Sequence, residues 1–140
     1  MSTSYTRLTQ EIIEDLEQIV GCRNLITDVE KMEHYSHDET SVEEYAHMPE
    51  VVLTPTCVEQ VAAIMKLASK HTIPVTPRGA GSGLSGGAIP LFGGIVLSLE
   101  KMNRVLEIDE ANLTVTAEAG IVTNELNEQL KGKGLFFAGY

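Results

Sequence analysis

The chain has 140 residues, which is one domain or part of one. A hydrophobic fraction of 43% suits a globular protein, and no apolar run approaches the ~20 residues that span a bilayer. A net charge of −10 argues against nucleic acid and against anionic membrane surfaces as partners. The opening Met1-Ser2-Thr3-Ser4-Tyr5-Thr6-Arg7 lacks a charged start followed by an apolar core, so no signal peptide is read there. Cys22 and Cys57 stand far apart and form no metal or redox motif, and a cytoplasmic protein with reduced thiols is expected.

Leu8, Ile12, Ile13, Leu16, Ile19 and Val20 recur at helical spacing, which predicts an amphipathic helix stopped by Gly21. Thr27-x-x-Glu30 reads as a capping box opening a short helix through about His34. Tyr35 to Pro49 is polar and unperiodic and predicts a loop lying over other structure. Between Asp28 and Glu50 eight acids face the single base Lys31, a pattern read as a solvated face. His34, His37, Asp38, Glu39 and His47 lack the spacing of a helical zinc site, so surface or hydrogen-bonding roles are expected and no metal is assigned.

Val51–Thr54 predicts a strand ended by Pro55. Thr56-x-x-Glu59 reads as a second capping box, with Val61, Ile64, Met65 and Ala68 on one helical face through about Lys70. His71, near the end of that helix, suits its dipole. Ile73–Thr76 returns as a strand. Strand, helix, strand is a βαβ unit with parallel strands and a right-handed crossover. Ligands in such folds gather beyond the carboxyl ends of the strands.

There the sequence reads Pro77-Arg78-Gly79-Ala80-Gly81-Ser82-Gly83-Leu84-Ser85-Gly86-Gly87-Ala88. Seven of the twelve glycines lie between Gly79 and Gly94. Such a run offers tight turns and backbone N–H groups free to face a ligand, with Ser82 and Ser85 adding hydroxyls; phosphate is the natural guest. A flexible linker is the alternative. Gly81-x-Gly83-x-x-Gly86 has the dinucleotide-binding spacing, but Pro90, Gly93 and Gly94 prevent a following helix, so the Rossmann reading is weak. Ile95–Ser98 is a strand. Arg104–Asp109 and Leu113–Ala119 alternate around Asp109-Glu110-Ala111-Asn112, which predicts an antiparallel hairpin. Gly120 precedes a helix from about Thr123 to Lys131, and Leu135-Phe136-Phe137 starts another strand. No nucleophile–base pair and no nucleophile elbow is found.

From Pro77 to Ala88, and on through Gly93-Gly94-Ile95-Val96-Leu97-Ser98-Leu99-Glu100-Lys101-Met102-Asn103-Arg104-Val105-Leu106-Glu107-Ile108-Asp109, the sequence resembles the FAD-linked oxidases. These have the vanillyl-alcohol-oxidase, or PCMH-type, FAD-binding domain, and the likeness is to the glycolate oxidase and D-lactate dehydrogenase branch. It runs from about Leu8 to Tyr140 and is most specific between Val51 and Gly120. The resemblance implies an α+β fold. Residues 1–50 form a helical segment and loop, and residues 51–140 an FAD-binding domain that stops before its second subdomain is complete.

It also implies FAD as cofactor. Gly79, Ala80, Gly81, Ser82 and Gly83 cradle the pyrophosphate, with Leu84 and Ser85 in the same loop. Gly87 and Ala88 make a second contact. Pro77 and Arg78 shape the approach, and Gly120 lies close to the cofactor. Arg78 either offers its charge to a phosphate or pairs with a local acid. The loop carries no His or Cys, so non-covalent FAD is expected. The implied activity of the whole enzyme is hydride transfer from the α-carbon of a 2-hydroxy acid, (R) or (S), of D-lactate or glycolate type. Electrons then pass to an acceptor such as an electron-transferring flavoprotein or an iron–sulfur subunit. No catalytic base is assigned, since the family places it later in the chain, and this portion alone is expected to be inactive. The alternatives are another PCMH-type flavoenzyme and a non-enzymatic phosphate- or nucleotide-binding module.

Overall fold

Val51–Leu53 and Ile95–Leu97 are apolar at every position, and strands of that kind need cover on both faces. The chain is built around one sheet that supplies it. The structure is a computed structural model and describes residues 4–139. Met1–Thr3, the start of the stretch read for a signal peptide, and Tyr140 lie outside the described residues.

Helix α1 (Gln10–Val20) opens with the Thr9 hydroxyl accepting from the Ile12 N–H at 3.3 Å. It ends at Gly21, at φ +80°, whose N–H donates to the Glu17 carbonyl. Ile12, Leu16 and Val20, four residues apart, form its buried stripe. A single turn at Cys22–Asn24 leads into β1 (Leu25–Ile26), a strand too short for its alternation to register in the sequence. Helix α2 (Val29–Met32) is capped by Asp28 rather than Thr27. The Asp28 carboxylate accepts from the Glu30 and Lys31 N–H groups, and a charged acceptor one residue nearer displaces the hydroxyl. The helix passes into a 3₁₀ turn at Glu33–Tyr35. The region expected as loop holds a further turn of helix, α3 (Val42–Tyr45).

Strand β2 (Val51–Leu53) leads to α4 (Val58–His71). The second capping box does not form. Cys57 holds the cap position without a side-chain bond to the helix backbone, and Gln60 reaches back to accept from both the Thr56 N–H and its hydroxyl. Gln60 also donates to the Ile19 carbonyl, which pins α4 to α1. Ile64 and Ala68 are buried with Val61 and Leu67 beside them, whereas Met65, about 100° around the helix from Ile64, is 45% exposed.

Strand β3 (Val75–Arg78) starts and ends two residues later than expected, so Pro77 and Arg78 belong to the sheet. Strand β4 (Ile95–Ser98) follows. The order is β1-β2-β4-β3, with β1 antiparallel to β2 and β4 parallel to both of its neighbours. β2 and β3 are therefore parallel, as expected, but β4 lies between them. Pro77 sits on the edge strand, where a missing N–H is tolerated. Adjacent parallel strands need a long crossover, usually helical. Between β3 and β4 residues 79–94, the glycine-rich run, provide it.

Val51, Leu53, Ile95 and Leu97 face α1 and α4. Their neighbours Val52 and Val96 point the other way, onto Met32 and Tyr35. Residues 10–26 thus share one core and one sheet with residues 51–98. Two acids of the 28–50 run are not on a solvated face: Asp38 is buried, and half-buried Glu50 accepts from the Leu8 N–H at 2.9 Å.

Strands β5 (Val105–Asp109) and β6 (Thr114–Ala117) form a separate antiparallel hairpin. Arg104 donates to Glu118 at 2.7 Å across its open end. Helix α5 (Thr123–Lys131) matches its expected bounds. Residues 135–137 do not form a strand. Among the described residues no strand pairs with them; instead the Asn127 side chain accepts from the Phe137 N–H at 2.8 Å and donates to its carbonyl at 3.2 Å. One buried amide thus takes the place of a neighbouring strand. Asn127→Ala is expected to cost about 2 kcal/mol in chemical unfolding and to open residues 135–139 to proteolysis. Unchanged cleavage in that stretch would show that the amide pair does not hold it.

Candidate cofactor site

The glycine run leaves the sheet where β3 ends. The Arg78 carbonyl, the last ladder acceptor on β3, takes the Leu99 N–H at 2.9 Å. Beyond it Gly79, Ala80 and Ser82–Ser85 are exposed and Gly81 is half-buried. Among the described residues, no backbone N–H from Gly79 to Ser85 donates a hydrogen bond within the protein. A row of free N–H groups on a turn with φ +76° at Gly81 and +73° at Gly86 has the backbone form that suits an anion. The linker alternative fails on the loop's underside, which is tightly built.

That underside is Arg78. Its side chain is 5% exposed and turns back beneath its own loop. The guanidinium donates to the His37 carbonyl at 2.5 Å and to the His34 carbonyl at 3.1 Å, and its carbon lies 5.7 Å from the centre of the Tyr35 ring. A Cβ on Gly81 would stand 2.1 Å from one guanidinium nitrogen, so only glycine lets the backbone lie on that cation. No carboxylate forms an ion pair with Arg78 among the described residues. Its hydrogen bonds go to two backbone carbonyls, not to a local acid. Burial lowers the Arg78 pKa, and the nearby Tyr35, Asp38 and Glu100 act against that shift. Tyr35 in turn is raised by burial and by Glu100, to whose carboxylate its hydroxyl donates at 3.2 Å; Ser98 donates to the same carboxylate at 3.0 Å.

Beside the cation, residues 36–40 brace the loop. The Glu39 N–H donates to the Gly83 carbonyl at 3.0 Å. Asp38 accepts from the Thr40 hydroxyl at 2.7 Å and from the Thr40 N–H at 3.0 Å, an Asx turn that holds its carboxyl below the usual carboxylate range. Past Gly86 a cleft of about 370 Å³ separates the loop from α3, lined by residues that include Thr40, Tyr45 and His47. Gly87 is exposed and Ala88 half-buried on the return of the loop.

Gly120 reaches the root of the loop through Leu99. The Leu99 N–H bonds Arg78, while its carbonyl oxygen would lie 1.7 Å from a Cβ on Gly120. The glycine is required by close approach of two backbones. Arg78, Gly81 and Gly120 are thus brought together at the end of β3, whereas Leu84 and Ser85 lie toward the cleft beside α3. Tyr35, Asp38, Thr40, Ser98 and Glu100 support them; Asp38 was weighed from the sequence only as part of a metal cluster, and the other four were not singled out as site residues. Their signal was faint: one aromatic in a polar run, and an Asp-x-Thr spacing typical of a turn. His37 and His47 make local contacts, to the Ser36 hydroxyl at 3.2 Å and the Tyr45 carbonyl at 2.8 Å. Among the described residues no three His, Cys, Asp or Glu side chains gather as a metal site, and no helix is long and apolar enough to cross a membrane.

The family described as FAD binding domain matches residues 49–139. The chain belongs to this family. The chain is 40% identical over 133 residues to the D-lactate dehydrogenase of Anaerostipes hadrus, covering 95% of this chain and 28% of that one. It is 37% identical over 130 residues to glycolate oxidase subunit GlcD of Bacillus subtilis (strain 168), covering 93% and 27%. The chain thus spans about a quarter of the length of these relatives. Among solved structures, p-cresol methylhydroxylase with substrate bound superposes with a TM-score of 0.78 at 25% identity, over 91% of this chain and 26% of that one. A 4-ethylphenol oxidase from Gulosibacter chungangensis does so with 0.76 at 28% identity, over 94% and 27%. The fold is the α+β PCMH-type FAD-binding fold. The loop's open N–H row, with a buried cation behind it, fits a diphosphate-bearing cofactor.

Arg78→Met is expected to destabilise the FAD-binding domain by about 3 kcal/mol, because two backbone carbonyls lose a charged donor; an unchanged denaturation midpoint would remove Arg78 from this role. The Thr40 hydroxyl is the main cause of the low Asp38 pKa. A carboxyl depressed in the folded state stabilises it above the unfolded value of about 3.9, and that contribution is lost as pH falls through the folded value. In Thr40→Val the Asp38 titration observed by NMR is expected to move up toward the ordinary range, with acid unfolding starting at higher pH.

Proposed function

We propose that this chain is the FAD-binding portion of an FAD-dependent 2-hydroxy acid dehydrogenase or oxidase of D-lactate or glycolate type, with FAD held non-covalently. The observation that carries the reading is the row of free N–H groups beyond the carboxyl end of β3, laid over the buried guanidinium of Arg78. Backbone donors placed in advance bind a diphosphate without having to be reorganised, and a positive charge behind them favours an anion. In this reading Gly79, Ala80, Gly81, Ser82 and Gly83 cradle the pyrophosphate. Leu84, Ser85, Gly87 and Ala88 continue the contact. Pro77 and Arg78 set the direction of the loop, and Gly120 closes its base. The proposed FAD-binding domain carries the cofactor-facing loop, and residues 34–40 support that loop from beneath.

Bound FAD supplies the redox chemistry, the two-electron oxidation of a 2-hydroxy acid to a 2-oxo acid. The residues of this chain bind and orient; none of them is assigned a proton transfer. Relatives named D-lactate dehydrogenase and glycolate oxidase subunit support the substrate class. An electron-transferring flavoprotein or an iron–sulfur subunit is the proposed electron acceptor, and the cytoplasm the proposed location. A second reading, a PCMH-type flavoenzyme acting on another substrate, draws on the likeness to p-cresol methylhydroxylase and 4-ethylphenol oxidase.

The protein loaded with FAD and desalted is expected to keep flavin absorption bands and to release all of the flavin into the supernatant on acid precipitation. Flavin precipitating with the protein would overturn the non-covalent assignment. D-lactate or glycolate is expected to bleach the bands of the intact enzyme; bleaching only by a phenolic substrate would favour the second reading. Gly81→Val, which places a branched carbon against the guanidinium, is expected to leave the protein colourless. Normal FAD uptake by that variant would show that the loop is not the pyrophosphate site.

A further inference from the structure

Asp38 is 4% exposed, and its two oxygens are treated differently. Oδ1 accepts two hydrogen bonds from Thr40. Oδ2 is buried and has no hydrogen-bond partner among the described residues. A carboxylate enclosed with one oxygen unsatisfied is unfavourable, and a nearby donor gains by moving onto it. Arg78 is not that donor, because its guanidinium is bound to the His34 and His37 carbonyls. The glycine loop faces the oxygen instead. A Cβ on Gly83 would lie 3.8 Å from Oδ2, and Glu39, the residue after Asp38, is already bonded to the Gly83 carbonyl. The Gly86 amide is near enough to help lower the Asp38 pKa, yet it makes no hydrogen bond to Oδ2.

We propose that Asp38 is a positioning residue for the cofactor loop: its free Oδ2 accepts the Gly86 N–H when the loop settles around the pyrophosphate. The inference rests on the FAD reading above. Both the new bond and the bound diphosphate need the same loop conformation, so each favours the other. Asp38 touches neither cofactor nor substrate. It acts from behind, by fixing which way the loop's remaining N–H groups point.

Amide hydrogen exchange of the intact protein, with and without FAD, tests this together with Asp38→Asn. The asparagine keeps an acceptor for Thr40 but puts an NH2 group where Oδ2 stood, so it cannot receive the Gly86 N–H. FAD is expected to slow Gly86 exchange about tenfold or more in the native protein. In Asp38→Asn the FAD dissociation constant is expected to rise about tenfold, the worth of one charge-assisted bond, and the FAD-induced protection of Gly86 to vanish. A merely structural role for Asp38 would lower the stability of the FAD-free protein and leave that protection in place, which would overturn the proposal. So would FAD binding by Asp38→Asn at native affinity. If the variant does not fold, the native protein decides alone: Gly86 exchange unchanged by bound FAD overturns the inference. A native protein that takes up no FAD overturns the FAD reading as well, which distinguishes the two failures.

Discussion

The guanidinium of Arg78 is the constraint on which the rest of the site depends. A buried cation needs acceptors, and here it takes two backbone carbonyls from a segment some forty residues earlier in the chain. That choice has three results. The segment at residues 34–37 is held against the sheet. The glycine loop is given a floor. The charge is left without a carboxylate partner in contact, so its field reaches through the thin backbone above it. An Arg–carboxylate pair at the same place would hold the loop as well but would cancel that field. A loop of larger residues could not lie so close, as the position of Gly81 over the guanidinium shows.

The site is therefore a layered object. Outermost is a row of N–H dipoles, then a thin glycine backbone, then a cation, then the Tyr35 ring and the Tyr35–Glu100–Ser98 hydrogen bonds. Only the outer layer is suited to touch a ligand. The inner layers come from both sides of the chain: residues 34–40 before the parallel strands, and residues 98–100 at the end of β4. This explains how a run of residues with almost no side chains can have a defined shape. Its order is imposed from below.

Much of the sheet was legible in the sequence, because apolar runs and helical spacing are local signals. β4 and α5 matched their expected bounds, and β2 and α4 differed by about a residue. The glycine run announced the site through composition alone. What was not legible depended on partners distant in sequence. Arg78 read as a loop cation since nothing local reveals that residues 34–37 will offer it two carbonyls. Asp38 read as one acid among eight because burial is not a property of a polar run. Both capping boxes misled because another side chain intervened: Asp28 caps its helix in place of Thr27, and Gln60 takes up the Thr56 hydroxyl that would have capped the other. Leu135–Phe137 looked like a strand, and a strand exists only where another backbone, or here one asparagine, answers it.

The position of β4 bears on how the chain reaches this state. β4 is the last of its sheet's four strands to be synthesised, yet it occupies a central place between β2 and β3. Until it arrives, β2 and β3 have no ladder partner in common, and α1 and α4 cover an incomplete surface. Parallel pairings between distant segments form slowly, since the closure entropy is lost before the contacts are gained. Closure of the sheet and shaping of residues 79–94 are consequently one event. The glycine run cannot take its final form before β4 docks, and β4 cannot dock without drawing that run across the end of the sheet. The glycine loop is thus finished in the same step that completes the hydrophobic core.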